Sequence, residues 1–251
     1  PFPRHSFTVT ARPIRALGVF GGEKWSRLEL NPGATWRERY LQSRGGPSFE
    51  ELVSAIQDGS ELVELLELPY FLVRVVEMYE RGRLGQTDLW GCLAELVGQA
   101  LSWEESEDRL PLSAGRAHAW LQDAALAMGL AGRTSASIAE LAQVSLDPGV
   151  NADPHEIGEG LVQRSMLRRS GEEYSFTHRI IGEFLAAEAL LRLGPSDELL
   201  SAIIPDRNEL VRGIRGDWRV PASFAMLASR DWREAIKPRD PLGWARAVPL
   251  S

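Results

Sequence analysis

The sequence predicts a mainly α-helical protein with small β elements, and three observations support this fold class. From residue 34 onward, apolar residues recur every three or four positions, the spacing of amphipathic helices. Two short runs near the start, 6–10 and 24–30, have instead the composition and alternation of β-strands. A third such run, 167–177, contains a turn and predicts a β-hairpin between helices.

The composition excludes several classes of protein. The 251 residues include 28 Lys and Arg against 35 Asp and Glu, a net charge of −7, which argues against a general nucleic-acid coat. Cys92 is the single cysteine, which excludes an intrachain disulfide framework, and we expect it to be a small core residue. No apolar run is long enough for a membrane span and the start does not resemble a signal peptide. We therefore expect a cytoplasmic protein with no membrane partner.

The first 33 residues predict two strands, and two strands of this size are marginal alone in water. They have the character of the last strands of a sheet whose other members lie outside the sequence. Because the chain starts at Pro1 rather than at a methionine, we expect it to be the later part of a longer protein.

Residues 34–110 predict a helical domain. Ser48 begins one helix, with Glu51 three residues later completing a capping box. An acidic stretch at 104–108, followed by Pro111, marks the best internal boundary. Two apolar stripes define the longer helices: Leu65, Leu68, Leu72, Val75, Val76 and Tyr79, then Leu89, Leu93, Leu96, Val97 and Leu101.

Residues 111–194 predict a winged-helix domain. A helix around Trp120, which we expect to be a core anchor, precedes a shorter helix over 135–145 and a third helix that begins at Asp153 and Pro154. The hairpin then turns at Ser170 and Gly171, and a helix over 179–193 follows. Residues 195–251 predict a helical tail, the start of a sensor or repeat region, with no repeat of fixed period. Four prolines are expected to break its helices: Pro205, Pro221, Pro238 and Pro241.

Common catalytic motifs are absent from the sequence. There is no G-x-x-x-x-G-K-[ST] loop to cradle a triphosphate, no H-E-x-x-H and no G-x-S-x-G. The four histidines are scattered and form no zinc pattern. We therefore predict no catalytic residue and no metal site in this chain.

Three segments, in order along residues 5–193, resemble the STAND class of signal-transducing NTPases, especially its NACHT branch. Thr10, Arg12 and Pro13 form a T-x-R-P sequence at the end of a predicted strand. The helix region 65–81, with Pro69, is similar to the first helical domain of that class. The run from Phe176 to Ala187 matches F-x-H-x-x-x-x-E-[YF]-L-A-A, the most specific of the three signatures.

The resemblance implies a role for one residue in each segment. Arg12 would be the sensor that reads the terminal phosphate, Pro69 would pack on the adenine ring, and His178 would contact the β-phosphate of ADP. Each residue also has an ordinary structural interpretation, which stays open. Arg12 could be a loop arginine before a proline, Pro69 the first residue of a helix, and His178 a packed histidine bonded to a backbone carbonyl.

The resemblance implies the carboxyl half of a nucleotide-dependent switch. Its fold would be the end of an α/β nucleotide-binding sheet (1–33), a helical domain (34–110), a winged-helix domain (111–194) and a helical tail (195–251). The partner would be an amino-terminal NTPase half that supplies the phosphate loop and the Mg²⁺ ligands for ADP or ATP.

The parent protein would be an ATPase that forms a homo-oligomer on activation by a ligand at the tail, while this chain alone would not be catalytic. All but two of the basic residues, Lys24 and Lys237, are arginine, which suits a bacterial signalling or antiviral defence protein.

Two other functions stay open. One is a nucleotide-free protein-interaction scaffold built from the helices and the winged helix. The other is a DNA-binding regulator. Against the latter, the candidate recognition helix carries Glu156 and Glu159, and the basic pair of the wing, Arg168 and Arg169, is followed after two residues by two glutamates.

Overall fold

The computed structural model describes residues 36–55, 66, 69–82, 89–102, 110–144, 153–205 and 213–247. The predicted strands at 6–10 and 24–30 and the acidic boundary at 104–108 lie outside these ranges. The described part is mainly helical with one small sheet, which confirms the predicted fold class. In chain order its elements are α1 (Trp36–Arg44), α2 (Phe49–Ala55), α3 (Pro69–Glu80), α4 (Leu89–Ser102), α5 (Ala114–Leu130), β1 (Ala136–Ser137), α6 (Ile138–Gln143), α7 (Pro154–Gln163), β2 (Leu167–Ser170), β3 (Glu173–Phe176), α8 (Arg179–Leu193), α9 (Asp197–Ile203), a 3-10 turn (Gly216–Trp218), α10 (Arg219–Ala228), α11 (Arg230–Ile236) and α12 (Pro241–Ala247).

Helix starts follow from local side-chain chemistry. At the start of α2, the Ser48 backbone N–H donates to Glu51 at 2.6 Å and the Glu51 backbone N–H donates to the Ser48 hydroxyl at 3.1 Å, which confirms the predicted capping box. A second capping box, between Ser137 and Glu140, begins α6. The hydrogen bond from Arg133 and those from Ser137 lower the pKa of Glu140 to about 2.

The predicted winged-helix domain contains a strand that the sequence analysis missed. The helix expected over 135–145 was wrong at its start, because Ala136–Ser137 forms β1 and pairs antiparallel with β3, Ala136 opposite Tyr174. The resulting sheet has the order β1-β3-β2. The hairpin turn is also one residue later than predicted, since Ser170 still pairs with Glu173 and Gly171, at φ +63°, is the first turn residue. The elements of this segment follow in the order helix, strand, helix, helix, hairpin, helix.

Helix α8 lies at the centre of the described core. It packs against α5, α4 and α10, and apolar side chains on most of its circumference are buried, as expected for an interior helix. A polar seam crosses its contact with α5. His118 and Glu188 lie 2.6 Å apart there, and Arg192 donates to Asp123, whose side chain is 6% exposed.

Two tryptophans of the tail donate hydrogen bonds to the ends of α5 and α8. The Trp218 indole N–H donates to the Gly129 carbonyl near the end of α5, at 3.2 Å. The Trp232 indole N–H donates to the Leu190 carbonyl near the end of α8, at 3.1 Å. Each carbonyl also accepts a backbone N–H, Gly129 from Gly132 at 3.0 Å and Leu190 from Gly194 at 2.9 Å, so each indole adds a second hydrogen bond at the end of a helix.

The sequence expectation for Pro221 was wrong. Pro221 does not break a helix but lies in the first turn of α10, after Trp218. The first-turn N–H groups of a helix have no partner within it, so a residue without an N–H is tolerated there. Pro241 begins α12, and Pro205 and Pro238 lie outside helices, as expected. Within the described ranges no helix is both long enough and apolar enough to cross a bilayer.

Candidate functional site

Of the three predicted contact residues, His178 is the one whose surroundings the structure describes. Arg12 lies outside the described residues. Pro69 is the first residue of α3, the position in which a helix accepts proline without losing a hydrogen bond. His178 is the N-cap of α8, immediately after the hairpin, in extended backbone conformation (φ −135°, ψ 142°).

The backbone around His178 is fixed on both sides. Before it, the Thr177 backbone N–H donates to the Met166 carbonyl at 3.1 Å. After it, the Ile181 backbone N–H donates to the His178 carbonyl at 3.2 Å. The Phe176 ring also packs on Gly182 so closely that a Cβ added there would lie 2.8 Å from a ring carbon. His178 is therefore held between the end of a strand and the first turns of a buried helix.

The electrostatic setting of His178 suits an anion. The ring is half-buried with Nδ1 inside, and its side chain does not cap the helix. The N-terminus of a helix carries a partial positive charge, and its first N–H groups point outward. The adjacent Arg179 side chain is 77% exposed and pairs with Glu183 at 3.3 Å. Glu183 is thus an ion-pair partner in this segment, and Phe184 is fully buried.

No protein-family model matches this sequence. No curated protein matches it either. The resemblance to the NACHT branch therefore depends on the three segments quoted above and on their order along the chain.

A bound metal has no evident ligand set in the part of the chain that the structure describes. None of its histidine, cysteine, aspartate and glutamate side chains form a group of three that could hold an ion. Cys92 is buried, 2% exposed, as the sequence predicted for a core residue.

On the surface that the predicted winged helix would use to read DNA, side chains of α7, β2 and β3 bind one another through Glu159, an arrangement that we call the Glu159 clasp. Glu159 on α7 accepts a hydrogen bond from Arg169 of β2 at 2.8 Å and from the Tyr174 hydroxyl of β3 at 2.9 Å. The second wing arginine, Arg168, donates to Ser175 at 2.8 Å. Burial, with the hydrogen bond to Glu159, raises the pKa of Tyr174 to about 12. Both arginines of β2 thus bind partners within the same chain. Glu156, on α7 with Glu159, is exposed. This arrangement does not favour phosphate contacts.

Two features of this region were not among the predictions from the sequence. The Glu159 clasp joins residues 10 and 15 positions apart, which is too far for a helical or hairpin spacing rule to link them. The contact of Gly182 with Phe176 had a visible signal, namely a glycine within an otherwise bulky apolar helix. Such a glycine indicates close approach by another group.

Proposed function

We propose that this chain is the carboxyl half of a NACHT-type nucleotide-dependent signalling switch, in which the winged helix closes over ADP. The observation that carries the proposal is His178, a half-buried histidine at the N-cap of the central helix α8 that leaves the helix start uncapped. Packing alone does not call for histidine at such a position, where Ser, Thr, Asp and Asn are preferred.

The first turn of α8 fits a phosphate group. It offers the N–H groups of Arg179 and Ile180, the positive end of the helix dipole and the exposed guanidinium of Arg179, which also pairs with Glu183. In the proposed complex Arg12 would read the terminal phosphate and Pro69 would pack on the adenine. An amino-terminal NTPase half joined to this chain would supply the phosphate loop and the Mg²⁺ ligands.

The proposed mechanism is a population shift between two states. ADP would favour the closed state because it contacts both the amino-terminal half and His178. Exchange for ATP, or a ligand bound at the tail, would favour the open state, in which His178 is released and the protein oligomerises. A ligand shifts such an equilibrium only by its difference in affinity for the two states. A bacterial defence role follows from family analogy alone.

The test uses the longer protein that includes the amino-terminal half, purified without added nucleotide. We expect ADP to be released from the wild type on denaturation, and His178→Ala to have lost it. His155→Ala is the matched control, since His155 is exposed on α7. Equal ADP in His178→Ala and the control would show that His178 is not the contact.

Two results would favour the other functions. A wild-type protein that holds no nucleotide and hydrolyses none would favour the interaction scaffold. Salt-dependent binding to mixed-sequence duplex DNA would favour the regulator. ATP hydrolysis by the 251 residues alone would contradict the proposal directly.

A further inference from the structure

Three aromatic rings meet where three predicted segments pack together. Trp90 belongs to α4 of the predicted helical domain, Phe184 to α8 of the winged helix and Phe224 to α10 of the tail. The Trp90 ring lies 4.7 Å from Phe184, at an interplanar angle of 60°, and 5.5 Å from Phe224, at 68°. Both are the tilted or edge-on geometries that aromatic pairs prefer. The half-buried Trp90 side chain of α4 thus contacts both α8 and α10.

The same helix carries Phe184 and His178. Phe184 is fully buried and lies six residues after His178, which is the N-cap of α8. A hydrogen-bonded helix moves largely as a rigid element, and close-packed cores change between discrete arrangements rather than deform smoothly. A shift in the packing of Phe184 is therefore transmitted to the start of α8.

We propose that Trp90 is an aromatic joint through which the tail sets the position of His178. The Trp90 ring contacts Phe224 of α10 and Phe184 of α8. When α10 is displaced, for instance by a ligand bound to the tail, the Trp90 ring follows and α8 moves with it. In the proposed switch, this coupling is the route by which the tail regulates the nucleotide site. That regulatory role rests on the proposed function.

A competing route exists and must be separated from the joint. Helices α8 and α10 also contact each other directly, so the tail could move α8 without Trp90. The two routes differ in what they require. If the joint operates, removing the Phe224 ring changes the surroundings of Trp90 and of His178 together. If direct packing operates, a change at any well-packed residue of α10 moves α8, for example at the fully buried Met226.

The test is NMR on the 251-residue chain, which contains four histidines. His178→Gln assigns the His178 ring resonance, and Trp90→Phe assigns Trp90 in protein labelled with 5-fluorotryptophan. We expect Phe224→Leu to shift both the His178 and the Trp90 resonances and to leave His155 in place. The control Met226→Leu, which changes α10 at similar volume, should shift neither.

Three outcomes would overturn the joint. They are a His178 shift without one at Trp90, equal shifts from the control, or no His178 shift from Phe224→Leu. A further comparison makes Phe224→Leu in a Trp90→Leu background, where the joint predicts that the effect on His178 is lost. No nucleotide is present in these experiments. If these experiments contradict the joint, the ADP proposal is unaffected. If the protein holds no ADP, the coupling between the tail and His178 can still be present as a structural property.

Discussion

Gly182 gives the sharpest test of how the wing strand and α8 fix His178. An added Cβ at this position would lie 2.8 Å and 3.1 Å from carbons of the Phe176 ring. The obstacle is the body of a ring rather than the end of a flexible side chain. Either the ring or the helix must therefore move in Gly182→Ala, and His178 lies in the chain between the two contact residues.

The magnitude follows from two opposing contributions. Alanine is favoured over glycine inside a helix by about 1 kcal/mol. Overpacking a close contact costs about 1–3 kcal/mol. The net change for Gly182→Ala is thus a loss of about 0–2 kcal/mol. Gly98, exposed on α4 with no atom within 4 Å of an added Cβ, supplies the control. Gly98→Ala should gain about 1 kcal/mol, so the difference between the two variants isolates the overpacking cost.

Urea unfolding measures both variants, with unchanged slopes as the condition for comparing their midpoints. In thermal unfolding the difference between them should be about 2–4 °C per kcal/mol for a chain of this size. Adding Phe176→Leu should relieve much of the cost of Gly182→Ala but leave Gly98→Ala unaffected. Equal stability changes for the two alanine variants, or no relief from Phe176→Leu, would show that this contact does not constrain α8.

Three further predictions concern charged groups. Because hydrogen bonds hold the pKa of Glu140 at about 2, below its ordinary value of 4.5, its contribution to stability is present above pH 4.5 and is lost as the pH falls toward 2. Glu140→Gln should flatten that part of the stability–pH curve, and an unchanged slope would contradict this. The pKa of Tyr174, raised to about 12, has the opposite sign: its contribution is lost as the pH rises from 10 through 12. Absorbance titration should show a late phenolate that titrates earlier in Glu159→Gln and is lost in Tyr174→Phe; an unchanged late phase in Tyr174→Phe would disprove the assignment. Arg192→Met removes a charged hydrogen bond to the nearly buried Asp123 and should cost about 1–3 kcal/mol in urea unfolding. The cost should shrink in an Asp123→Asn background, and additive losses would argue against the pair.

Elements with a strong local signal were predictable from the sequence. The bounds of α8 follow from its dense apolar pattern and the hairpin before it, and the Ser48 capping box follows from the spacing of two residues. Strand β1 had no such signal. Two residues are too few to display alternation, and Ala136 pairs with Tyr174, 38 residues later in the chain. Pairing at that separation depends on how α6 and α7 pack, which periodicity does not report.

At the candidate site, too, local features were predictable from the sequence and tertiary contacts were not. The place of His178, between a strand and a helix, followed from the local pattern. The contacts of Glu159 and of Trp90 did not follow from it, because they are tertiary contacts. Arg169 illustrates the consequence. As sequence it is a basic wing residue that could face DNA, whereas in the fold its guanidinium lies against Glu159 at 2.8 Å.

His178 itself can be separated from the packing around it by one substitution. Phe176, Gly182 and Phe184 each have a packing role in this segment, but histidine does not cap α8. Asparagine at the N-cap would accept a hydrogen bond from a first-turn N–H, so His178→Asn should gain about 1 kcal/mol of unfolding free energy. If His178 serves a ligand, the longer protein should lose ADP while this variant becomes more stable, since residues selected for binding often cost stability. If His178 is instead a packed core histidine, His178→Asn should lose stability in the isolated chain, and that result would refute the functional assignment.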